Sequence, residues 1–427
     1  MEFLHGIEHL NLPADFVPVN DVVTAVIGLV GTAGAGEANE IILCKSEKDD
    51  AQFGTNGTIP EALKAIRMQD GTRGSALVLV VKVTPANGDT IVAEDIVGTV
   101  DVSGVRTGLK LFETALGQFG FEPMIYIVPH YSALGAVKQE LIVITDKTEA
   151  MAYIDTPDGY TFKEALASRG NDGDFSKLTD GQKLLFPHFL VPNPKYNPEV
   201  EETIKNPEYN SNTNPDVPET IPNPEYTPEV LIKYLNVPMS AFCAGLRAKI
   251  DMEEGWHVSS SNHRITGVEG MDVALTFALG DLSSEANLLN SKGVTTAVNM
   301  YGNGIVEWGN YAAGFPGNTN TEAFECVRRT RAIMKRTIEQ ACVRFVDKPF
   351  IKANVDAIRN TVNQYLNGLK AQGKIVEGQC FYLPESNSLN ELAQGHLTFD
   401  IEFTPAIPMQ RLTFTYKIDL TALSAIE

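Results

Sequence analysis

The chain has few cysteines, few basic residues and no long hydrophobic run, and each shortage excludes a class of protein. Its five cysteines are scattered over 427 residues without a C-x-x-C pair, so neither a disulfide scaffold nor a structural zinc site is expected. The longest early apolar run, Val22–Val30, is far shorter than the roughly 20 residues of a membrane span, so we expect no membrane insertion. Residues 1–20 lack Lys and Arg, which argues against an export signal and predicts a cytoplasmic product.

The shortage of basic residues has its own consequence. Lys and Arg number 34 against 54 for Asp and Glu, which gives a net charge of −20. A chain this acidic has no general attraction for phosphate, so direct nucleic-acid binding is not expected. The apolar fraction of 43% is ordinary for a globular protein, and the length suggests two or three domains.

The first half of the chain alternates between two kinds of segment. Residues 1–20 contain Gly6, Pro13 and Pro18 without lasting periodicity, which predicts an extended arm. From Val22 to about Leu185, apolar strand-like runs alternate with stretches of helical pattern; the strand-like runs are 22–30, 77–83 and 124–128, and the helical stretches are 60–67 and 105–117. Such alternation is typical of an α/β fold with a largely buried sheet.

Residues 192–230 break this pattern. Nine of these 39 residues are proline, and acidic residues outnumber basic ones eight to two. An imperfect repeat occurs at Asn193–Val200 and Asn223–Val230, with a spacing too irregular for a solenoid. Because proline removes backbone donors and favours extended chain, we interpret the stretch as a surface insertion, with partner binding as the alternative.

The last third predicts two amphipathic helices and two strands. Apolar residues recur at helical spacing in Thr321–Phe345, with Asn320 or Thr321 as N-cap, and again in Val355–Leu369, which ends before Gly373. Apolar and polar residues then alternate strictly in two segments, 397–403 and 412–420. Each segment therefore predicts a strand with one apolar face.

Three motifs have the outward form of reactive sites. His5, Glu8 and His9 match the H-x-x-E-H pattern of zinc proteases, but the motif contains a glycine and has no supporting third ligand. The glycine-rich stretch Gly28–Gly36 lacks the G-K-[ST] ending of a phosphate loop, so a strand-to-strand turn is favoured over nucleotide binding. The serines and histidines of 256–263 have no G-x-S-x-G frame, which favours a polar turn beside a buried tryptophan.

One charged segment stands out from the acidic background. Residues 322–352 contain eight basic and four acidic side chains, a net charge of +4. On a helix, Arg329 and Arg336 point away from the apolar stripe, and Arg328 and Lys335 flank it. We interpret these four residues as a candidate docking surface for an acidic partner, with a solvated helix face as the alternative.

Several short stretches, in this order, resemble one family. They are His5-Gly-Ile, Thr24–Gly31, Val237–Arg247, Glu254-Gly-Trp-His257, Leu289–Val294, Trp308-Gly-Asn310, Cys326-Val-Arg-Arg329 and Asp347-Lys-Pro349. The set is similar to the contractile tail sheath proteins of myophages and tailocins, particularly the short sheaths of temperate phages. One departure is Tyr311-Ala312 after Trp308-Gly-Asn310, where the family often has Arg-Thr.

The resemblance implies a mechanical protein without catalytic activity or cofactor. Such subunits form hexameric rings that stack helically around an inner tail tube, bounded by baseplate and tail terminator proteins. They assemble in the bacterial host cytoplasm into a virion tail, whose contraction drives the tube through the host envelope for genome ejection. A tailocin sheath with the same mechanics is the alternative, and a zinc protease or a nucleotide-binding protein is the competing class.

The resemblance also implies a division of the chain. We expect an N-terminal arm (1–20), a larger α/β domain on a subtilisin-like, non-catalytic scaffold (21–284), an α+β inner domain that contacts the tube (285–403) and a C-terminal strand arm (404–427). The tube-contact candidates are Arg328, Arg329, Lys335 and Arg336. The candidates for arms exchanged between subunits are Phe3, Leu4, Ile7, Leu412, Phe414, Tyr416, Ile418 and Leu420.

Overall fold

The computed structural model describes residues 21–86, 90–207, 218, 220–224 and 227–420. They form two compact units. The larger unit comprises Val23–Ala332 together with the chain from Ala406 onward, and the smaller comprises Asp21, Val22 and Ile333–Pro405. The predicted N-terminal arm, with Phe3, Leu4, Ile7 and the His5–His9 motif, lies outside the described residues.

An eight-stranded sheet forms the centre of the larger unit. The strands of this unit are β1 (Val26–Gly31), β2 (Ile41–Cys44), β3 (Leu77–Lys82), β4 (Ile125–Ile127), β5 (Met151–Asp155), β6 (Gln182–Leu185), β7 (Phe189–Pro192), β8 (Thr203–Lys205), β9 (Thr220–Pro222), β10 (Tyr234–Val237), β11 (Gly270–Met271), β12 (Val294–Asn299) and β13 (Ile305–Trp308). The sheet order is β13-β12-β6-β5-β4-β1-β3-β2. Six neighbouring strands are parallel, and the two edge strands, β13 and β2, are antiparallel to their neighbours.

Helices cover both faces of this sheet. They are α1 (Glu47–Asp50), α2 (Thr58–Arg67), α3 (Ala93–Val97), α4 (Ala115–Phe119), α5 (Gly135–Thr148), α6 (Phe162–Ala167), α7 (Met239–Glu253), α8 (Glu285–Asn290) and the start of α9 (Glu325–Cys342). Alternate residues of each strand enter two separate cores: Ile27 and Leu29 pack with α2 and α7, while Val26 and Val30 pack with α3 and α5. The predicted mixed α/β fold with a buried sheet is confirmed.

The individual segments agree with the sequence pattern to different degrees. The three apolar runs correspond to β1, β3 and β4, and the helical stretch 60–67 lies within α2. The stretch 105–117 is less regular, because a 3₁₀ helix at Gly108–Thr114 precedes the short α4. Gly108 has φ of +56°, which is outside the α-helical region, so a continuous α-helix cannot pass through this position. A side chain at this position would also collide with the carbonyl oxygen of Ile96.

The proline-rich insertion begins and ends on neighbouring strands. β7 and β10 pair antiparallel, with Pro192 opposite Tyr234, and β11 pairs with the other edge of β7. The Asn193 side chain closes the base of the insertion by donating to the carbonyl oxygens of Glu229 and Ile232. Further out, β8 and β9 form a two-stranded ribbon, so the insertion is more structured than a solvated loop.

The smaller unit packs two long helices against a two-stranded sheet. Beyond the C-terminal part of α9 it contains α10 (Lys352–Ala371), α11 (Leu389–Ala393), β14 (Ile375–Phe381) and β15 (Asp400–Pro405), which pairs antiparallel with β14. The predicted end of the second helix is confirmed: Gly373 follows α10 with φ of +72°, a conformation that favours glycine. Leu366, Leu369 and Ile375 are buried where α10 packs on β14.

Two predicted boundaries differ from the structure. The division expected between residues 284 and 285 is wrong, because β12 and β13 lie in the central sheet and the units divide between Ala332 and Ile333, inside α9. The strand expected at 412–420 is absent from this part of the described chain, where the backbone has no regular structure and the apolar side chains are exposed. A strand forms only when a partner supplies its hydrogen bonds, and no segment among the described residues pairs with 412–420.

Because β7 and β10 are already paired, the insertion is expected to be removable. Replacing residues 193–233 by Asn-Gly joins Pro192 to Tyr234 through a two-residue turn suited to an antiparallel pair. We expect a soluble protein whose Tm by circular dichroism lies within about 4 °C of the parent, since the central sheet is untouched. Aggregation or loss of the cooperative transition would show that the insertion is part of the core.

Candidate functional site

A cluster of buried charged side chains lies inside the larger unit. Lys183 projects from β6 and is fully buried. Its ammonium group donates three hydrogen bonds: one to Glu307 of β13, one of 2.6 Å to Glu325 at the start of α9, and one of 3.0 Å to Ser260. Ser260 donates in turn to Glu307 at 2.6 Å, and the hydroxyl of Tyr153 on β5 donates to Glu325. One lysine therefore joins two strands, a loop and a helix.

The protonation states of this cluster follow from its pairing. Burial alone would raise the pKa of the Glu325 carboxyl, but the charges of Lys183 and Arg247 and hydrogen bonds from Lys183 and Tyr153 outweigh it and lower that pKa to about 2. Burial would lower the pKa of the Lys183 ammonium, yet the neighbouring carboxylates of Glu307 and Glu325 raise it above its ordinary value. The lysine is therefore charged at neutral pH and is not a base.

A second group of charges lies beside the first. Arg247 and Asp251, one turn apart on α7, pair at 2.8 Å, and Arg329 of α9 donates to the same Asp251. All three side chains are at most 8% exposed. The two groups together hold three positive and three negative charges, so the buried cluster is electrically balanced. A balanced, hydrogen-bonded set meets the condition under which charges are tolerated in a protein interior.

This arrangement corrects two of the tube-contact candidates. Arg328 and Arg329 are 9% and 1% exposed, so neither is available on the surface of this chain. Helical periodicity predicts that Arg329 points away from the apolar stripe, but its side chain pairs with the buried Asp251 of α7 and is not exposed to solvent. Lys335 is exposed and Arg336 is half-buried.

The serine- and histidine-rich turn has no catalytic geometry. Trp256 is buried and the following residues form turns, as predicted. Ser260, itself buried, accepts from the Lys183 ammonium and donates to the Glu307 carboxylate, so its hydroxyl is held inside the charge cluster and out of reach of a substrate. His263 contacts the carbonyl oxygens of Ser260 and Ser261 and the Glu254 carboxylate, and it does not pair with a serine hydroxyl.

The glycine-rich stretch does not form a nucleotide site. After β1 the chain turns towards β2, as the strand-to-strand interpretation predicts. Three of its backbone N–H groups are already used: Thr32 donates to the Thr58 hydroxyl, and Gly34 and Ala35 donate to the carbonyl oxygens of Asn56 and Phe53. A phosphate site needs several such donors free, so this loop geometry does not favour phosphate binding.

Unpartnered apolar surface is concentrated near the C-terminus. Leu412, Phe414, Tyr416, Ile418 and Leu420 are between 65% and 90% exposed. The start of this segment is attached to the larger unit, because the Tyr311 hydroxyl donates to Gln410 at 2.9 Å. The Tyr311 ring stacks between Phe315 and Phe324, at centroid distances of 3.9 and 4.6 Å. The residue that departs from the family pattern therefore holds the start of the arm.

The smaller unit carries an apolar groove. It has a volume of about 810 Å³ and lies between the end of α9, the start of α10 and the β14–β15 sheet. Its lining includes Ile338, Phe345, Val346, Phe350, Ile358 and Phe399. Phe350 and Val346 are more than 45% exposed, so the groove offers apolar surface to a ligand or a partner.

The sequence reading missed the buried cluster, although a signal was present. Lys183 lies within the apolar run of β6, and Glu307 lies between Val306 and Trp308 on β13. Charged residues inside such strands are rare unless they are paired. Which charges pair could not be read from the sequence, because the partners are more than 120 residues apart.

Comparison with known proteins agrees with this picture. The family described as "Phage tail sheath protein central domain" matches residues 104–312, and "Phage tail sheath C-terminal domain" matches residues 318–419. The tail sheath protein of Burkholderia phage BcepMu is 29% identical over 97% of both chains. That of Escherichia phage P2 is 27% identical over 98% of this chain and 96% of the relative.

A solved structure shares the fold. The helical sheath of the anti-feeding prophage in its contracted state superposes with a TM-score of 0.65, at 16% identity, covering 97% of this chain and all of the other.

None of the described helices is long and apolar enough to cross a membrane.

With these relatives, an α/β subunit that has a balanced cluster of buried charges and an exposed apolar segment is a structural assembly protein and not an enzyme. The chain belongs to the phage tail sheath family and is a structural subunit of a contractile tail sheath.

The buried cluster predicts a large effect of one substitution. Lys183→Met leaves Glu307 and Glu325 buried without their cation, so the free energy of unfolding should fall by about 3–5 kcal/mol. Both tryptophans, Trp256 and Trp308, lie in the larger unit, so their fluorescence during urea unfolding reports on this unit. The exposed Lys177→Met is the matched control and should change stability by less than about 0.5 kcal/mol. Equal effects of the two substitutions would contradict the role of the cluster.

Proposed function

We propose that this subunit assembles into hexameric rings that stack helically around an inner tail tube, and that contraction drives the tube through the envelope of a bacterial host. Assembly takes place in the host cytoplasm, between baseplate and tail terminator proteins. The observation that carries the proposal is the exposed segment 412–420, whose sequence alternates as in a strand although its backbone has no regular structure in this chain. In a phage the contraction serves genome ejection; in a tailocin the same subunit would perforate the envelope.

The segment 412–420 is proposed to add to the sheet of a neighbouring copy. Ordering the backbone costs about 1–2 kcal/mol per residue, which ladder hydrogen bonds at about 0.5–1.5 kcal/mol each do not offset alone. Burial of an apolar side chain contributes about 1.5–3 kcal/mol, and five such side chains alternate here. The apolar face is therefore what makes exchange favourable.

The smaller unit is the proposed acceptor. Its sheet has two strands, so among the described residues each strand has one edge without a neighbour. A two-stranded sheet is marginal in water, and further strands from another chain would complete it. The groove beside it, with Phe345, Phe350 and Phe399, would receive apolar side chains of the incoming strand. We propose that Phe3, Leu4 and Ile7 of the N-terminal arm join the same exchange.

The architecture supports one further assignment. A mostly parallel sheet covered by helices on both faces agrees with a subtilisin-like scaffold without protease function. We propose this relationship for the larger unit.

The face of the arm predicts which substitutions block assembly. Phe414→Asp with Ile418→Asp places two charges on the apolar face, so the subunit should stay folded and no longer form long sheaths by negative-stain microscopy. Truncation after Pro408 should give the same result, as should removal of residues 1–12.

Thr413→Asp with Thr415→Asp is the matched control, because it adds the same charges to the opposite face of the segment. It should assemble as the parent does. Normal sheaths from the Phe414/Ile418 variant would exclude strand exchange through this face.

We propose that the smaller unit faces the tube. Residues 333–405 contain eight basic and eight acidic side chains, so this segment is neutral in a chain of −20. Its first twenty residues are net positive, with Lys335, Arg336, Arg344, Lys348 and Lys352 against Glu339 and Asp347. A local excess of positive charge favours an acidic partner, and Lys335 and Arg336 are the remaining candidates for it.

Charge reversal tests this contact. Lys335→Glu with Arg336→Glu should weaken co-assembly with the tube protein, measured by co-sedimentation, and the loss should be greatest at low salt. Exposed pairs contribute only about 0–1 kcal/mol each, so both positions are changed together. Reversal of Lys64 and Lys249, which lie on α2 and α7 of the larger unit, is the control. Co-assembly that is unchanged at every salt concentration would contradict the assignment.

A further inference from the structure

Three metal-binding side chains meet at the base of the proline-rich insertion. Asp158 follows β5, His188 follows β6 and immediately precedes β7, and Asp272 follows β11. One nitrogen of the imidazole and one oxygen of each carboxylate all lie within 4.8 Å of one another. The three residues come from distant parts of the sequence, and all belong to the larger unit.

The orientation of His188 points to a ligand. Its side chain is buried, and Nε2 lies 2.9 Å from the carbonyl oxygen of Thr156. A carbonyl only accepts, so Nε2 carries a proton, and Nδ1 faces the Asp158 carboxylate, 3.5 Å away. That distance is too long for a good hydrogen bond. It matches the roughly 3.4 Å between two ligands that each lie about 2.1 Å from one tetrahedral ion.

The hydrogen bond from Nε2 is itself characteristic of a metal ligand. Histidines that bind metals commonly donate their other ring N–H to a carbonyl or carboxylate, which fixes the tautomer. The Asp272 carboxylate is also held in place, because its Oδ1 accepts the His188 backbone N–H at 3.0 Å. Two of the three ligands are therefore positioned by neighbouring groups before any ion arrives.

A fourth polar group completes the site. Asn236 of β10 donates its Nδ2 to both carboxylates, and its Oδ1 is buried without a partner among the described residues. Rotating this amide by half a turn would present the oxygen to an ion held between the carboxylates. The exposed Asp158 leaves a path from solvent to the site.

We propose that Asp158, His188 and Asp272 bind a divalent transition-metal ion of the Zn²⁺ type, with Asn236 or water as a further ligand. The imidazole favours such an ion over Mg²⁺ or Ca²⁺, which take oxygen ligands. The ion would link the segments that follow β5 and β6 to the sheet of β7, β10 and β11. It would therefore stabilise the base of the insertion. This inference does not depend on the proposed assembly.

Zinc binding to the full-length chain tests the proposal. The parent is His5→Ala with His9→Ala, so that the N-terminal motif cannot contribute, and it is stripped with a chelator before titration with Zn²⁺ by calorimetry. We expect one equivalent to bind and Tm to rise. Asp158→Asn, at an exposed position, should weaken binding at least about tenfold without loss of folding, and His188→Gln should do the same.

A matched control separates this site from surface coordination. His263 contacts Glu254 at 3.1 Å, and within the described parts of the chain these two belong to no group of three metal-binding side chains, so His263→Gln should leave zinc affinity unchanged. Co²⁺ bound in place of Zn²⁺ should give visible absorption bands without a thiolate charge-transfer band, since no cysteine belongs to the site. Absence of binding at 100 μM Zn²⁺, or equal binding by Asp158→Asn and the parent, would overturn the proposal.

Discussion

The pairing of Lys183 with Glu307 and Glu325 is the interaction on which the larger unit most depends. A lysine ammonium taken completely out of water is tolerated only if several acceptors surround it, and here they come from β13, the start of α9 and the turn containing Ser260. These segments are distant in sequence, so the cluster holds the sheet edge, the turn and the helix in one arrangement. A core held together only by apolar contacts would fix the relative positions of these elements less specifically than this hydrogen-bonded network does.

The same cluster explains how a basic helix can begin inside an acidic protein. The first two turns of α9 contribute Glu325 and Arg329 to the buried charges, and both find partners of opposite sign. Beyond Ala332 the helix continues in the smaller unit, where Lys335 is exposed. One helix therefore serves two purposes: its start is fixed in a core, and its continuation presents positive charge.

Within the larger unit, the central sheet is covered by its own chain, whereas the C-terminal segment 412–420 is not. The sheet buries its strands on both faces. Backbone N–H groups of the loop after β1 donate to carbonyl oxygens of the same chain. The segment 412–420 instead leaves five large apolar side chains in solvent, which is costly unless another chain covers them. Tyr311, stacked between Phe315 and Phe324, holds the start of that segment through Gln410. A folded body with a tethered, exposed apolar segment is suited to a subunit of a polymer.

The sequence by itself determined the α/β class, the segments β1, β3 and β4, and helices α2 and α10, because these follow from local periodicity. It also singled out 412–420, since strict alternation is visible without a partner. Only the tertiary structure decided that Arg329 is buried, that β12 and β13 belong to the central sheet, and that Asp158, His188 and Asp272 meet. The physical reason is the same in each case. Periodicity shows which side of a helix or strand is apolar, but whether its polar side faces water or an opposite charge depends on residues far away in the chain.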